Sequence, residues 1–288
     1  MKRIAFLGCE NSHAKNFLNI IKSDECYSDY EVVGVYSEDV TAAKALSDEF
    51  GVKILGSYDE AQGDVDGVVI TARHGAKHYE YAKPYIKSGI PMFIDKPITV
   101  DGGEAVEFMR ELKASGVRIC GGSSLKHAKL VRELANDVKE SAGGKTLGGI
   151  VRAPVDIESV YGGFYFYAQH LVEMLCEIFG RYPDSVLAKR NGVEITVQFS
   201  YPEYTVFGVY YDHVYEYCAV RFAKKDSSGG KVTLDGCFAL EFAEFDALMR
   251  GNAQSVSYDD FIAPVFIMNA IVASLNSGMP EKVIKFKV

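Results

Sequence analysis

The feature that most constrains the fold is a strand-then-helix pattern that repeats along the first 122 residues. Short β-branched or apolar runs such as Glu31–Ser37 and Gly67–Thr71 alternate with helical runs such as Val40–Phe50, which ends at Gly51. Gly67–Thr71 carries no charge, as is typical of a strand covered on both faces of a parallel sheet. The pattern predicts an α/β domain built on a doubly wound parallel sheet.

After Gly121-Gly122 the rhythm changes, and successive strand-like runs follow one another with short connections. Turn clusters at Asn191-Gly192 and Ser227-Ser228-Gly229-Gly230 predict hairpins. Short connections favour an antiparallel sheet with helices packed on one face. We therefore predict two domains: an α/β domain over residues 1–122 and an α+β domain with a mostly antiparallel sheet over residues 123–288.

The individual elements follow from the same patterns. The predicted strands are Arg3–Gly8, Glu31–Ser37, Lys53–Leu55, Gly67–Thr71, Pro91–Asp95, Val117–Gly121, Gly149–Ile157, Ser185–Arg190, Val193–Ser200, Thr205–Asp212, Tyr215–Ala223 and Lys231–Phe238. The predicted helices are Ser12–Lys22, Val40–Phe50, Ala76–Ser88, Asp101–Ser115, Lys126–Ser141 and Tyr167–Phe179, with a last helix that ends near Gly278.

Charge and cysteine content narrow the classes of function. The chain has 31 basic and 39 acidic residues and a formal charge of −8, so its surface repels phosphate backbones and nucleic acid is not an expected partner. None of the six cysteines forms a CxxC pair, which argues against a zinc ribbon or a redox dithiol. The apolar run at the N-terminus is too short for a signal peptide, so we expect a reduced, cytoplasmic protein.

One uncharged segment, from Phe261 to Met279, has nearly the length of a membrane span. It contains Pro264 and several Asn and Ser residues, and polar groups at that density are costly in lipid. The Gly278-Met279-Pro280 sequence is a typical helix end. We expect a buried helix here and no membrane partner.

The turn after the first strand is where a doubly wound sheet places its ligand. It reads Gly8-Cys9-Glu10-Asn11-Ser12-His13, in which only Gly8 matches the three-glycine dinucleotide fingerprint and Glu10 stands at the second glycine position. The turn is therefore either a modified dinucleotide loop or a loop for another ligand. Asn11 and Ser12 can cap the following helix, whose free N–H groups attract anions.

The ends of the next two strands carry further candidates. Ser37 stands where an acid usually binds the adenosine ribose, and Glu38 beside it disfavours a 2′-phosphate, so the sequence does not decide between NAD and NADP. Arg73 and His74 follow the strand Gly67–Thr71. His74 with His13 and His78 would be the start of a metal cluster, but no cysteine or short helical HxxxH pair supports one, and we expect no metal.

Lys96 is the strongest single candidate for a site residue. It follows the predicted strand Pro91–Asp95 and precedes Pro97, so it stands at the carboxyl end of a buried strand in a restrained turn. A lone lysine in most sequences is a solvated surface charge. Its position between a buried strand and a proline favours a side chain that points into the ligand cleft.

At this point the sequence resembles the Gfo/Idh/MocA family of NAD(P)-dependent sugar and cyclitol dehydrogenases. Asp95-Lys96-Pro97 matches the family's Glu-Lys-Pro signature with Asp for Glu, and His78 lies at the spacing of a family histidine upstream. Ala270–Val283 resembles the family's last helix and turn. The likeness spans nearly the whole chain and implies a Rossmann-type dinucleotide-binding domain followed by a domain for substrate binding and oligomerisation.

A second family pattern lies downstream and is only partly kept. The family has two glycines, an Asp, then Gly-x-His and a further Asp on the next helical turn. Here Gly162-Gly163 and His170 match, and Glu173 takes the place of the later Asp. Phe166 replaces the first Asp and Ala168 replaces the glycine before the histidine. The Phe166 difference implies a reaction that is altered, slowed or absent.

The resemblance implies hydride transfer at an alcohol carbon, with NAD or NADP as cofactor and a sugar, cyclitol or related hydroxy compound as substrate. This chemistry needs a base for the hydroxyl proton and a cation for the developing alkoxide, and His170 and Lys96 are the candidates. Glu173 lies three residues from His170 on the same helix face and is expected to orient the imidazole. The residues expected to contact the cofactor are Gly8, Glu10, Asn11, Ser12, His13, Ser37, Thr71, Arg73, His74, His78, Asp95 and Lys96.

Tyrosines are abundant in the second domain. Those between Tyr161 and Tyr167 suit a sugar ring or fill a strand edge, whereas those from Tyr201 to Tyr217 are expected in a homo-oligomer contact through the second sheet, as the resemblance implies. Two further functions stay open. One is a relative that binds a nucleotide or sugar without turnover, and the other is a structural subunit of an oligomer.

Overall fold

The first sheet has five parallel strands in the order β2-β1-β3-β4-β5. The computed structural model describes all 288 residues, and the strands of this sheet are β1 (Lys2–Leu7), β2 (Tyr30–Tyr36), β3 (Gly67–Ile70), β4 (Met92–Asp95) and β5 (Ile119–Gly122). The chain leaves β1 toward β2 on one side and continues with β3 on the other side. This reversal opens a crevice at the carboxyl ends of β1 and β3, where such sheets bind their ligands.

Four helices connect these strands and bury their apolar residues on the sheet. They are α1 (Ser12–Ser23), α2 (Val40–Phe50), α3 (Ala76–Ile86) and α4 (Gly102–Ala114). The predicted α/β fold is confirmed, with one exception: the run Lys53–Leu55 forms only a single bridge, between Val35 and Ile54.

The second sheet has seven strands in the order β11-β10-β6-β9-β8-β7-β12 and is mostly antiparallel, as predicted. Its central pair, β6 and β9, is parallel. The strands are β6 (Thr146–Val155), β7 (Ser185–Asn191), β8 (Glu194–Ser200), β9 (Thr205–Asp212), β10 (Tyr217–Ala223), β11 (Ser227–Val232) and β12 (Glu281–Lys282).

The prediction that Ser227–Gly230 forms a turn is wrong, because these residues are part of β11. At Gly229 the φ angle is +144°, and a Cβ would lie 2.2 Å from the carbonyl oxygen of Ala219 on β10. The glycine is thus required by the close approach of two strands. The predicted strand over Lys231–Phe238 is correspondingly displaced, since Cys237 already begins a helix.

One face of the second sheet is covered by helices. The last four helices of the chain are α5 (Lys129–Glu140), α6 (Tyr165–Phe179), α7 (Cys237–Met249) and α8 (Tyr258–Ser277). Of these, α6 and α8 contribute most to the core on this face. By length and a mean hydropathy of 1.4, α8 passes a test for membrane-spanning helices, yet 56% of its most apolar stretch is buried inside the protein. It ends at Gly278, which has a φ of +69°.

The helix α7 was not predicted, and it packs against the first sheet although it lies beyond residue 122. Its Phe242, Phe245 and Leu248 belong to the same buried cluster as Phe6 and Phe17. The first half of α8 likewise packs on the first domain. Two segments from the second half of the sequence therefore complete the core around the first sheet, and α7 brings its polar residues to the β1 turn.

Candidate functional site

A cavity of about 810 Å³ lies between the two domains, at the carboxyl ends of the first sheet. The first domain supplies residues from the start of α1 and from the loops after β3 and β4. The second supplies residues from α6, from the segment before it, and from the turn between β9 and β10. The predicted site residues that line the cavity are Asn11, Ser12, His13, Arg73, Lys96 and His170.

The Lys96 side chain is 6% exposed and lies over two aromatic rings at the start of α6. Its Nζ is 4.9 Å from the ring centre of Phe166 and 5.3 Å from that of Tyr167. It donates one long hydrogen bond, 3.4 Å, to the carbonyl oxygen of Phe166, and no carboxylate contacts it. Burial lowers the pKa of Lys96, and the nearby Arg73 adds to this, against an opposing effect of Asp95.

His170 faces the same part of the cavity from α6. Its ring centre is 5.6 Å from that of Tyr167, so Lys96 and His170 contact the same tyrosine. Its Nδ1 lies 2.7 Å from the Ser123 hydroxyl, which leaves Nε2 for a ligand. Burial, with smaller contributions from Lys96 and His13, holds the pKa of His170 well below its usual range, and the ring is therefore neutral near pH 7.

The structure corrects the expected partner of His170. Glu173 accepts a hydrogen bond from the Gln169 side chain at 2.9 Å and does not contact the imidazole. Ser123, directly after β5, holds the ring instead. The available signal was the position of Ser123 at the carboxyl end of a strand of the parallel sheet, the same signal that singled out Lys96.

The β1 turn is shaped by Gly8 and Thr71. Gly8 has a φ of +77°, and a Cβ there would lie 2.5 Å from Ala72. The Thr71 hydroxyl donates to the Gly8 carbonyl at 2.6 Å from a completely buried position. Both residues therefore build the turn and do not line the cavity, so the direct cofactor contact expected of Thr71 is not available to its side chain.

Glu10 spans the crevice between the ends of three strands. One carboxylate oxygen accepts a hydrogen bond from the Ser37 hydroxyl at 2.7 Å, and the other accepts from the Arg73 backbone N–H at 2.9 Å. The carboxylate thus stands beside the end of β2. Ser37 thus stands at the position where this fold usually carries a ribose-binding acid, and the Glu10 carboxylate from the β1 turn lies beside it.

His13 lies between two buried carboxylates. Its Nδ1 is 3.3 Å from Asp95, and its Nε2 is 3.2 Å from Glu241, which projects from α7. Asn11 donates a further hydrogen bond of 2.6 Å to Asp95. Burial lowers the pKa of His13, but Asp95 and Glu241 together outweigh it, and the net pKa is raised. Sequence reasoning missed Glu241, because nothing local links it to residue 13.

The two other histidines of the first domain hold loops. His78 is completely buried, and its Nε2 and Nδ1 face the carbonyl oxygens of Ala72 at 2.8 Å and Ile98 at 3.3 Å. His74 accepts a hydrogen bond from the Ala76 N–H and packs beside Gly162. Neither ring lines the cavity. Both nitrogens of His78 face backbone carbonyls, whereas a cofactor contact of His74 stays a prediction.

The opposite wall of the cavity comes from the ends of the parallel strands β6 and β9. Asp156 and His213 lie there, and their ligand atoms and one of Asp212 are within 4.8 Å of one another. Tyr215 and Tyr217 also line this wall. They therefore face the cavity, whereas we expected them from the sequence in a contact between copies of the chain. Tyr210 is buried and donates to the Ala168 carbonyl at 2.9 Å.

The His13 contacts generate a prediction. In Glu241→Gln the pKa of His13 should fall, since one of two carboxylates is lost while burial remains. A raised folded pKa stabilises the protein below the unfolded value of ~6.5, and this contribution is lost as the pH rises through the folded pKa. The stability deficit of the variant should therefore shrink as the pH rises. Histidine NMR titration and urea unfolding across pH measure both effects.

Glu244→Gln is the matched control for this experiment. Glu244 is on the same helix and contacts Lys126 and His127. Its replacement should leave the pKa of His13 in place. An unchanged His13 titration in Glu241→Gln would contradict the proposed pairing.

Comparison with known proteins agrees with this architecture. The model of the Gfo/Idh/MocA family, an oxidoreductase family with an NAD-binding Rossmann fold, matches residues 2–123. An oxidoreductase from Formosa agariphila is 22% identical over 140 residues, which cover 41% of this chain and 42% of that protein. The aligned part is thus less than half the length of this relative.

Solved structures resemble the whole chain. The myo-inositol 2-dehydrogenase from Lactobacillus plantarum has a TM-score of 0.85 at 15% identity, over 98% of this chain and 99% of that one. The myo-inositol dehydrogenase from Corynebacterium glutamicum has a TM-score of 0.83 at 17% identity, over 99% of both chains. The scyllo-inositol dehydrogenase from Lactobacillus casei, solved with NAD(H) and scyllo-inositol, has a TM-score of 0.84 at 12% identity, over 98% and 99%. Residues 2–123 thus match the model of the Gfo/Idh/MocA oxidoreductase family, and over its whole length the chain has the fold of these inositol dehydrogenases.

Proposed function

We propose that the protein is an NAD-dependent oxidoreductase that transfers a hydride to or from an alcohol carbon of a sugar, cyclitol or related hydroxy compound. The observation that carries this proposal is the presence of Lys96 and His170 in one cavity beside the β1 turn. An ammonium group and a neutral imidazole are the two groups that alcohol oxidation needs. The family match and the inositol dehydrogenase fold support the same reaction class.

The residues around the β1 turn fit a dinucleotide. A Cβ at Gly8 would collide with Ala72, so the turn is as tight as a dinucleotide loop requires. Asn11 and Ser12 stand at the start of α1, where backbone N–H groups favour a diphosphate. Glu10 and Ser37 would bind the adenosine ribose. Bound nicotinamide accepts or supplies the hydride.

The same residues favour NAD over NADP. A ribose diol can donate to the Glu10 carboxylate, whereas a 2′-phosphate would be repelled by it. Lys77, whose ammonium reaches Glu38 after the end of β2, is paired with Glu38 at 2.8 Å and with Glu80 at 3.3 Å. This lysine is therefore already neutralised and is not free to bind a 2′-phosphate.

Lys96 and His170 divide the proton chemistry. During oxidation, neutral His170 accepts the hydroxyl proton at Nε2, and the Ser123 hydroxyl steadies the ring through Nδ1. The Lys96 ammonium, held over Phe166 and Tyr167, stabilises the developing alkoxide. Phe166 removes the carboxylate that the family has near this pair, and the lowered pKa of Lys96 makes it a stronger proton donor.

A second candidate function is ligand binding without turnover. Phe166 at the position of the family Asp favours it, because the ring covers Lys96 without taking part in proton transfer.

We also propose that the protein is located in the reducing cytoplasm. All six of its cysteines are free, which agrees with such a location.

Cofactor titration tests the proposal. NAD⁺ and NADH should raise the Tm by mass action more than NADP⁺ and NADPH at equal concentrations. Glu10→Gln should reduce the preference for NAD over NADP about tenfold, since the repulsion of the 2′-phosphate is lost. The control is Glu49→Gln, an exposed carboxylate on α2 that pairs with Lys15. A protein whose Tm responds to none of the four dinucleotides is not the proposed enzyme.

Replacement of the lysine separates turnover from binding. Lys96→Met keeps the apolar contact with Phe166 and Tyr167 but removes the charge, so kcat should fall about 10²- to 10⁴-fold while the Kd for NADH changes little. Steady-state kinetics and NADH fluorescence measure the two quantities. Lys15→Gln, an exposed change on α1, should behave as the wild type. Full activity of Lys96→Met would assign the chemistry to other residues.

We also propose that the outer face of the second sheet joins two copies of the chain. Leu187, Gln198, Phe207, Ile150 and Val220 are paired in one row across five strands, and Phe207 is 48% exposed. Such a row is more apolar than an ordinary free surface.

Light scattering after gel filtration tests this contact. The wild type should be at least a dimer, and Phe207→Glu should be monomeric, because the substitution places a charge in the apolar row. Val40→Glu, an equally large change at a residue of the first domain that is 71% exposed, should leave the mass unchanged. A monomeric wild type would contradict the contact.

A further inference from the structure

Arg73 presents a guanidinium to the cavity without an acidic partner. Its Cζ lies 5.2 Å from the ring centre of Tyr161, and its Nη1 donates one hydrogen bond of 3.3 Å to the Tyr161 hydroxyl. No carboxylate contacts the side chain, although its own backbone N–H is bonded to Glu10. Four of the five guanidinium N–H donors are therefore available to a ligand.

Lys96 likewise has no acidic partner, and it lies on the other side of a pair of aromatic rings. The rings of Tyr161 and Phe166 lie 5.2 Å apart, with Arg73 against the first and Lys96 against the second. Both cations come from the first domain and both rings from the second. Two cations with unfilled donors thus face one cavity, where each raises the energy of the other.

The other charges of the cavity do not neutralise this pair. Any positive charge on His13 faces the carboxylates of Asp95 and Glu241 behind the cavity wall. Asp156 lies on the opposite wall with His213, and Glu158 beside it is exposed to solvent. The end of the cavity next to Lys96 therefore has a positive excess, which an anionic group of the ligand would relieve.

We propose that the substrate is a sugar acid, a polyhydroxy compound whose carboxylate is bound by Arg73 while its reacting hydroxyl lies at Lys96. A planar carboxylate accepts two parallel N–H bonds from a guanidinium, which fixes its orientation as well as its charge. The Tyr161 hydroxyl holds the guanidinium against the side of the cavity that the second domain supplies. Arg73 is then a specificity residue of the reaction.

The reaction itself is unchanged by the carboxylate. The carbon–hydrogen bond of the alcohol breaks and its electron pair leaves as hydride to NAD⁺, the hydroxyl proton passes to His170, and the alcohol becomes a carbonyl group. One NADH and one proton are formed for each alcohol oxidised. The inference rests on the proposed function, and its test therefore contains measurements that do not require turnover.

The experiment uses three compounds that differ only at C6: glucose, glucuronate and glucose 6-phosphate, with the galactose series as a second set. With the NAD-loaded protein, glucuronate or galacturonate should give a kcat/KM about 10- to 100-fold higher than the neutral sugar. If turnover is too slow to follow, the Tm of the NADH complex should still rise with the uronate and not with the sugar.

Variants of Arg73 link this preference to the residue. Arg73→Gln should remove the preference for the acid and leave the Kd for NADH unchanged, and Arg73→Lys should keep part of it, because the charge remains but the two-bond geometry is lost. Tyr161→Phe should weaken it less than Arg73→Gln does. Circular dichroism and the Tm without ligand show whether each variant is folded.

Each alternative outcome overturns the inference in its own way. Preference for the neutral sugar in both series shows that the cavity does not select an anion. Preference for the 6-phosphate shows an anion site that takes phosphate, which contradicts the carboxylate assignment. Loss of NADH affinity in Arg73→Gln without a change in sugar preference assigns Arg73 to the cofactor. Failure of the wild type to bind any dinucleotide would instead contradict the proposed function.

Discussion

The structure of the site depends on Asp95, a completely buried carboxylate at the end of β4. It accepts hydrogen bonds from the Asn11 side chain at 2.6 Å and from the Lys96 backbone N–H at 2.7 Å, and it faces His13 at 3.3 Å. A buried carboxylate is stable only when such partners replace its water. Asp95 therefore fixes the β1 turn and the turn that carries Lys96 relative to each other.

The same requirement ties α7 to the first domain. Glu241 is completely buried, and the Nε2 of His13 lies 3.2 Å from its carboxylate. The His13 ring lies between Asp95 and Glu241, which brings the three groups together. The Phe166 ring lies against Lys96, and no carboxylate contacts the lysine. The ammonium group of Lys96 is consequently available to interact with a ligand.

Much of the fold follows from the sequence alone, because strand and helix patterns of the first domain are local. The Gly67–Ile70 strand and the Val40–Phe50 helix are examples, and Lys96 was identified from its place after a strand. The contacts that sequence reasoning missed join distant segments. Glu241 meets His13 only because α7 returns to the first sheet, and Ser123 meets His170, which is 47 residues further along the chain, only because α6 packs beside the end of β5.

Two local signals were ambiguous for a physical reason. Glycine pairs occur both in turns and where two strands approach closely. At Gly229 the close approach of two strands is the reason for the glycine. Residue spacing along a helix places Glu173 on the face of His170, but the side chain turns to Gln169 and lies 2.5 Å from where a Cβ of Gly122 would be. Side-chain direction depends on the packed neighbours, which the helix period alone does not give.

The most direct test of the account is a crystal structure of the protein grown with NADH. We expect a nicotinamide ring in the cavity beside the Lys96 and His170 side chains, with the adenosine ribose on the Glu10 carboxylate. A dinucleotide bound with its nicotinamide outside this cavity, or a Glu10 side chain that closes the crevice against the ribose, would contradict it.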